Sequence, residues 1–438
     1  MQIIIFKILK LNRRGDSEMG KLRKLYELMM VGAVYQARWE KQMSDNILRN
    51  KKRLLILIIL LLPILSVSIL NAGAPDILGG KTAYAPAHYT NTILIVSVAV
   101  GMAAGLITGC IGAGGGFIIA PALMAAGVKG ILAVGTDQFH IFAKAIMGTV
   151  IHKKLGNVSV GLAVAFVIGS ILGATTGGYI QRTIYNWDPV ASEAFISIVY
   201  AAILGFLGFY GLRDYIKLYK ARKKGITVSD DSHGGPLTTT QIALTLQKIK
   251  VPPMIYFDED FGGRRISWVF VALCGVLVGL LAAIMGVGGG FVTFPLFVYV
   301  LGVSTPTTVG TDILQIIFTA GYSSITQYAI YGYVFYTLAM GLLLGSLIGI
   351  QIGALTTKVV PGMVIRGFWV LTILAGFANR ASVVPDKLRS LELWSISKST
   401  CDVIILIGNI VFWVAVGGFA IWVLGSFFKN LKSLREEV

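Results

Sequence analysis

"CIGAGGGFIIAP" (Cys110–Pro121) and "IMGVGGGFVTFP" (Ile284–Pro295) are two glycine-rich stretches inside apolar sequence, each closing on Phe and then Pro. Three consecutive glycines destabilise a helix by about 1 kcal/mol each relative to Ala. A triple of this kind marks a place where a helix unwinds and frees its backbone groups. Phe117 onward and Phe291 onward then read as new, short helices whose positive dipole ends face the break. Residues 116–128 would rise about 20 Å at 1.5 Å per residue, less than the ~30 Å of a bilayer core. A half-helix or re-entrant segment is expected there and again at 290–303. "GAGGGF" fits neither phosphate loop: no Lys follows it, Phe117 takes the last glycine position of GxGxxG, and no βαβ unit surrounds it.

Working outward, the chain of 438 residues is 55% hydrophobic and only 13% charged, about half the charge of a soluble domain. Its apolar runs are continuous rather than alternating, which selects helices over a barrel. The expected fold is an all-α polytopic membrane protein. A first anchor span covers 53–71, apolar stretches fall near 92–112, 116–128, 131–152, 158–181 and 193–212, a second set lies near 266–286, 290–303, 307–330, 334–357 and 362–378, and a final span covers 402–427. "AGA" at 72–74 resembles a cleavage site, but the basic region before the apolar run is far longer than a signal peptide's, so an uncleaved anchor is read.

The two sets are copies. Gly105, Gly112, Gly114, Gly115, Gly116, Phe117 and Pro121 recur as Gly279, Gly286, Gly288, Gly289, Gly290, Phe291 and Pro295, at an offset of 174. "VGTD" at 134–137 recurs at 309–312 (offset 175), and "GSILGATTG" at 169–177 recurs as "GSLIGIQIG" at 345–353 (offset 176). Such constant spacing marks an internal duplication. The domain reading follows: a first transmembrane repeat over 92–212, a connector over 213–265 and a second repeat over 266–378.

The net charge of +17 is concentrated in the basic N-terminal segment 1–52, the connector, the "HKK" loop at 152–154 and the C-terminal tail. Clustered basic loops between apolar spans mark the cytoplasmic side rather than a nucleic-acid surface. The first copy therefore ends inside and the second begins inside. The second copy's equivalent of the basic "HKKLGN" loop is the uncharged "AIYGYV" (Ala329–Val334), expected outside. The copies are thus expected to be inverted repeats with broken half-helices, supplemented by the N- and C-terminal spans. A multi-pass protein of the plasma membrane with both termini cytoplasmic is the corresponding location. Lys21–Trp39 reads equally as a surface-lying helix or a loosely ordered tail. The connector reads as a flexible linker with a small ordered element.

Away from loops and span ends, the membrane segments carry two carboxylates, Asp137 and Asp312, at matching positions. Either they face a cavity or a partner, since a mid-membrane charge is costly, or they cap helices after a Gly-Thr turn. Three and seven residues on stand His140 and Lys144 in the first copy and Gln315 and Thr319 in the second, a polar stripe on one helix face. Such a face lines a water-filled path or packs polar groups between helices. Lys144 pairs with Asp137 or an anion, or snorkels to the cytoplasmic edge. Glycines four apart (Gly101, Gly105; Gly169, Gly173, Gly177; Gly345, Gly349, Gly353) read as close helix–helix contacts. The three cysteines, Cys110, Cys274 and Cys401, form no CxxC pair, so neither disulfide nor zinc is expected.

The paired "GxGGGFxxxP" stretches, the "VGT" segments and the Gly-rich later helices together resemble the TauE/SafE family of sulfite and organosulfonate exporters. That resemblance implies a permease for small sulfur-containing or organic anions, not an enzyme, with no cofactor and no bound metal. This chain departs from the family pattern in placing Asp after both Gly-Thr pairs. Two carboxylates beside an anion site would repel the anion unless protonated or paired, which points to proton coupling. The expected substrate-binding residues are Gly112, Gly114, Gly115, Gly116, Phe117 and Thr136, with Gly286, Gly288, Gly289, Gly290, Phe291 and Thr311. Asp137, His140, Lys144, Asp312 and Gln315 are the expected proton-coupling or gating residues. The expected partners are a small anionic substrate and the lipid bilayer, with no nucleic acid and with a homodimer as a candidate assembly. The alternative is a cation-handling transporter whose paired Asp residues hold a metal or sodium ion.

Overall fold

A long apolar run in lipid has no water to bond its backbone, so it closes its own hydrogen bonds as a helix. The computed structural model describes residues 91–111, 115–154, 158–223, 241–257, 263–356, 360 and 362–430, and most of them are helical. The expected segments 1–52 and 53–71, like Gly112 and Gly114, lie outside the described residues. The first copy comprises α1 (Asn91–Ile111), α2 (Gly116–Ala125), α3 (Gly130–Lys154), α4 (Val160–Trp187) and α5 (Pro189–Lys223). A short helix α6 (Gln241–Lys248) and two strands, β1 (Met254–Phe257) and β2 (Arg264–Ser267), precede the second copy. That copy comprises α7 (Trp268–Met285), α8 (Gly290–Pro295), α9 (Thr305–Tyr322), α10 (Tyr336–Thr356) and α11 (Gly362–Ser390). A last helix, α12 (Lys398–Lys429), follows. Six of these helices, α4, α5, α7, α10, α11 and α12, are long and apolar enough to cross a membrane. The all-α polytopic class is therefore correct, and β1 and β2 form only a two-stranded antiparallel ribbon with Met254 opposite Ser267.

The packing is reciprocal between the copies. α1 lies along α10, and its counterpart α7 lies along α4, the counterpart of α10. α3 also touches α10 as α9 touches α4, while α3 meets α9 and α5 meets α11. Exchanging the copies reproduces this set of contacts. The glycine stripes carry it to the atom. A Cβ on Gly169 would overlap the carbonyl oxygen of Ala272, and one on its counterpart Gly345 would overlap that of Val98, the counterpart of Ala272. Gly279 meets Ser170 and Gly105 meets Ser346 in the same matched way. The expected close helix contacts are thus between copies, not within one. Backbones at this distance gain dispersion and weak Cα–H···O contacts that larger side chains would forbid.

Between these pairs lie the two half-helices. α2 has 10 residues, about 15 Å, and Gly116 through Leu123 are all buried. α8 continues as a π-helical turn, Leu296–Leu301, and stops at Gly302 with φ 75°. Neither half-helix is long enough to span, as the sequence suggested. The outward stripe of α4, Val160, Val164, Ile168 and Leu172, is exposed and wholly apolar, as a lipid-facing surface must be.

α5 runs unbroken past position 212 to Lys223, and α11 runs past 378 to Ser390, so both helices extend beyond the repeat ends expected from hydropathy. The described part of the connector holds α6 and the β1–β2 ribbon. Gln247 Nε2 donates to the Leu301 carbonyl at 2.8 Å and Arg264 Nη1 to the Gly302 carbonyl at 2.6 Å. The connector therefore closes the C-terminal end of the second half-helix, where a cation is favourable.

Candidate functional site

Each half-helix begins at a glycine in the left-handed region: Gly115 at φ 63° before α2 and Gly289 at φ 91° before α8. That conformation costs an ordinary L-residue about 1–2 kcal/mol, which explains the residue type. The structure brings the two breaks together. The rings of Phe117 and Phe291 lie 6.0 Å apart, both buried. A Cβ on Gly116 would stand 3.1 Å from the Cα of Val287 and 2.6 Å from Ile141 Cδ1, and one on Gly288 would stand 2.6 Å from Ile141 Cγ2. Gly286 packs on Val134 at the start of "VGTD". Of the expected residues, Gly116, Phe117, Gly286, Gly288 and Phe291 meet at this one centre, with Gly115, Gly289 and Gly290 beside them in the chain.

Breaking a helix leaves its last carbonyls without partners. At the end of α7 they are taken up by side chains from elsewhere. Gln138 Nε2 donates to Ala282, the Tyr328 hydroxyl to Ala283 and the Tyr200 hydroxyl to Met285. Sequence reasoning missed these three residues. Gln138 follows Asp137 directly, but nothing in the sequence pairs any of them with a carbonyl of α7.

"VGTD" is helix, not turn. Asp137 lies well inside α3 and Asp312 well inside α9, so neither caps a helix end. The capping alternative fails because the apolar residues before each Gly-Thr already continue the helix. Gly135 is needed instead for close approach to the Tyr333 carbonyl and the Tyr328 ring. Thr136 and Thr311 have matched partners. Thr136 Oγ1 accepts the N–H of Phe335 at 2.9 Å, and Thr311 Oγ1 accepts the N–H of Ser159 at 3.0 Å. Phe335 and Ser159 immediately precede α10 and α4, so each threonine ties down the entry to a helix of the opposite copy.

Below the threonines the polar stripe is buried between helices. Asp137 Oδ1 lies 3.5 Å from His140 Nδ1, and His140 Nε2 is 2.9 Å from Ser346 Oγ. Lys144 is buried, donates to Thr108 Oγ1 at 3.3 Å and has Asp137 as its electrostatic neighbour. It does not snorkel. In the second copy Gln315 Nε2 donates to Asp312 Oδ1 at 2.8 Å, Thr319 Oγ1 donates to Gln315 Oε1 at 2.7 Å, and Thr319 meets Ser170 at 2.6 Å. Ser170 and Ser346 are counterparts, so each stripe meets the same serine of the other copy's glycine-rich helix, through His140 in the first copy and Thr319 in the second. The copies differ at the carboxylate. Asp312 is hydrogen-bonded by Gln315, whereas no side chain among the described residues donates to Asp137, which lies against the backbone of Ala120 in α2. The Asp312 carboxylate also lies against the first turn of α8: a Cβ on Gly290 would be 2.9 Å from Asp312 Oδ2. An anionic side chain thus stands where the dipole of α8 favours negative charge.

Apolar helices packed reciprocally around two buried half-helices, with ionisable side chains held in the middle, define a multi-pass membrane transporter. The family comparison agrees. The model of the sulfite exporter TauE/SafE family matches residues 97–379, and the chain belongs to that family. It is 26% identical over 268 residues to the probable membrane transporter protein YunE of Bacillus subtilis (strain 168), covering 59% of this chain and 87% of that one. It is 23% identical over 257 residues to the probable membrane transporter protein YjnA of the same organism, with the same two coverages. A probable membrane transporter protein of Methanocaldococcus jannaschii, MJ0441, is 25% identical over 214 residues, 47% of this chain and 61% of that one. No solved structure matches the chain.

Proposed function

We propose that the protein carries a small anion, sulfite, an organosulfonate or a related sulfur-containing or organic anion, across the plasma membrane by alternating access of two inverted repeats. The observation that carries this reading is the meeting of the two glycine breaks, with Phe117 and Phe291 in contact across them. Each helix N-terminus presents about half a positive charge, so two of them facing one centre attract an anion without a fixed cation. The site residues on this reading are the N-terminal turns at Gly115–Phe117 and Gly289–Phe291.

Asp312 gives the cycle a switch. Its carboxylate stands against the first turn of α8, the place the substrate would take. Two anions in one low-dielectric site repel strongly. Substrate entry therefore goes with neutralisation of Asp312, and substrate exit with its return to the helix end. Asp137, beside His140 and Lys144, is the matching group on the other copy. Transport is proton-coupled on this scheme. The cation-handling alternative has less support, because no three His, Cys, Asp or Glu side chains come together among the described residues.

The test is sulfite flux in proteoliposomes with and without an imposed pH gradient. Wild type is expected to respond to the gradient, with Asp312→Asn transporting at a rate insensitive to it and Asp137→Asn strongly reduced. Unaltered pH dependence in both variants would remove the proton role. A panel of anions that leaves flux at background would remove the substrate class.

A further inference from the structure

A groove opens between α4 and the unwound end of α9, at the far end of the bundle from the connector. The N-terminal end of α4 is at the connector ribbon, where Gly161 faces Ile255 of β1. Arg182 lies 21 residues further along α4, about 30 Å away at 1.5 Å per residue. Here α9 leaves α-helical geometry for a π-helical turn, Ser323–Tyr328, then a 3-10 turn, Ala329–Tyr331, ended by Gly332 at φ 76°. π-helical turns inside helices are frequent at functional sites. The groove encloses about 420 Å³, and its walls include Thr175, Thr176, Arg182, Tyr322, Gln327 and Tyr331.

Arg182 is the charge in this groove and is held from two directions. Its Nη1 donates to the backbone carbonyl of Gln327 at 2.8 Å and to Gln327 Oε1 at 2.7 Å. Its guanidinium carbon sits 4.2 Å above the centre of the Tyr331 ring. Gly178 makes room for Gln327 itself, since a Cβ there would stand 2.7 Å from Gln327 Cβ. Among the described residues no carboxylate lies within ion-pair distance of Arg182, and its Nη2 and Nε make no hydrogen bond. A half-buried guanidinium fixed in place, with three donors unspent and hydroxyls around it, is matched to a group with several anionic oxygens.

Polar side chains also run inward from the groove wall. Asp312, Gln315, Thr319 and Tyr322 follow one face of α9. Gln315 bonds Asp312, Thr319 bonds Gln315 and Ser170, and the Tyr322 hydroxyl meets Thr175 Oγ1 at 2.7 Å on the groove wall. One face of α9 thus carries polar groups from the groove wall at Tyr322 to the carboxylate at the start of α8.

We propose that this groove is an oxyanion site at the mouth of the transport path, with Arg182 as its anchoring charge and sulfite-, sulfonate- or phosphate-type groups as its ligands. Its place on the path rests on the anion-transport reading above, whereas the site itself does not.

The full-length protein is tested in two forms. In detergent, binding of sulfite, methanesulfonate and inorganic phosphate is followed by isothermal titration calorimetry. Wild type is expected to bind saturably, with affinity about tenfold or more weaker for Arg182→Gln and intermediate for Arg182→Lys, since one charge-assisted contact is worth roughly that factor. In proteoliposomes, Arg182→Gln is expected to raise KM for anion offered on the Trp187 side, leaving kcat and the KM on the connector side unchanged. A lipid arm compares vesicles of phosphatidylglycerol with vesicles of neutral glycolipid. Arg182-dependent retention of phosphatidylglycerol with unchanged sulfite affinity supports the site and assigns its oxyanion to a lipid headgroup. Arg182-dependent binding of a free anion without any flux keeps the site and removes the transport reading. Affinity, sided KM and lipid retention that are the same in wild type, Arg182→Gln and Arg182→Lys overturn the proposal.

Discussion

Thr136 and Thr311 show how a duplicated residue acquires its role. Each hydroxyl holds one backbone N–H at the start of a helix of the opposite copy. Removing such a bond leaves a buried N–H unpaired and costs about 1–3 kcal/mol. Thr136→Val and Thr311→Val are therefore expected to lower thermal stability in detergent by similar amounts, and Thr→Ser at either position to retain most of it. A Thr136→Val variant of unchanged stability but weakened transport would instead make the hydroxyl a substrate donor. The pairing of the two threonines was legible in the repeated "VGTD". Their partners were not, because Phe335 and Ser159 are distant in the chain and carry no distinguishing side-chain signal. The same holds for Tyr200, Tyr328 and Gln138: their polar groups answer carbonyls freed by a helix break in another element.

At the scale of the element, two kinds of glycine with different physics occur side by side. Gly115 and Gly289 supply backbone conformations, whereas Gly169, Gly279 and Gly345 supply room. The second kind is intolerant because what it faces is backbone, which cannot rotate away. Gly279→Leu is expected to abolish recovery of folded protein, whereas Gly418→Leu on α12, which has open space around it, should leave recovery intact and raise helix stability by up to about 1 kcal/mol. Fluorescence-detected size exclusion of the two variants checks this, and equal recovery would deny the close packing. Half-helix lengths were readable from the glycine triples and the short apolar runs after them. The "VGTD" segments were not, because Ser/Thr/Asp cap grammar belongs to helix ends that meet water. Inside a bundle the same residues continue a helix when neighbouring elements satisfy their polar atoms, as Gln315 does for Asp312.

At the scale of the whole molecule, the reciprocal packing of α1 with α10 and α7 with α4 makes each copy incomplete without the other. On the charge map, the connector is expected in the cytoplasm and the Trp187 end of α4 outside. In a background lacking Cys110, Cys274 and Cys401, Trp187→Cys and Val251→Cys, both at exposed positions, are expected to react with a membrane-impermeant maleimide from opposite sides. Labelling of both from one side in intact cells would contradict the inverted arrangement. By itself, the sequence determined the membrane class, the duplication, the helix breaks and the residues of the polar stripe. Each of these rests on local composition or on self-similarity along the chain. Only the tertiary structure decided that the breaks meet at Phe117 and Phe291, that the glycine stripes bind one copy to the other, and that Arg182 stands in a groove with Gln327 and Tyr331. Those depend on which helices become neighbours, and in lipid that choice is made by the fit of small residues and buried polar groups across contacts between segments far apart in the chain.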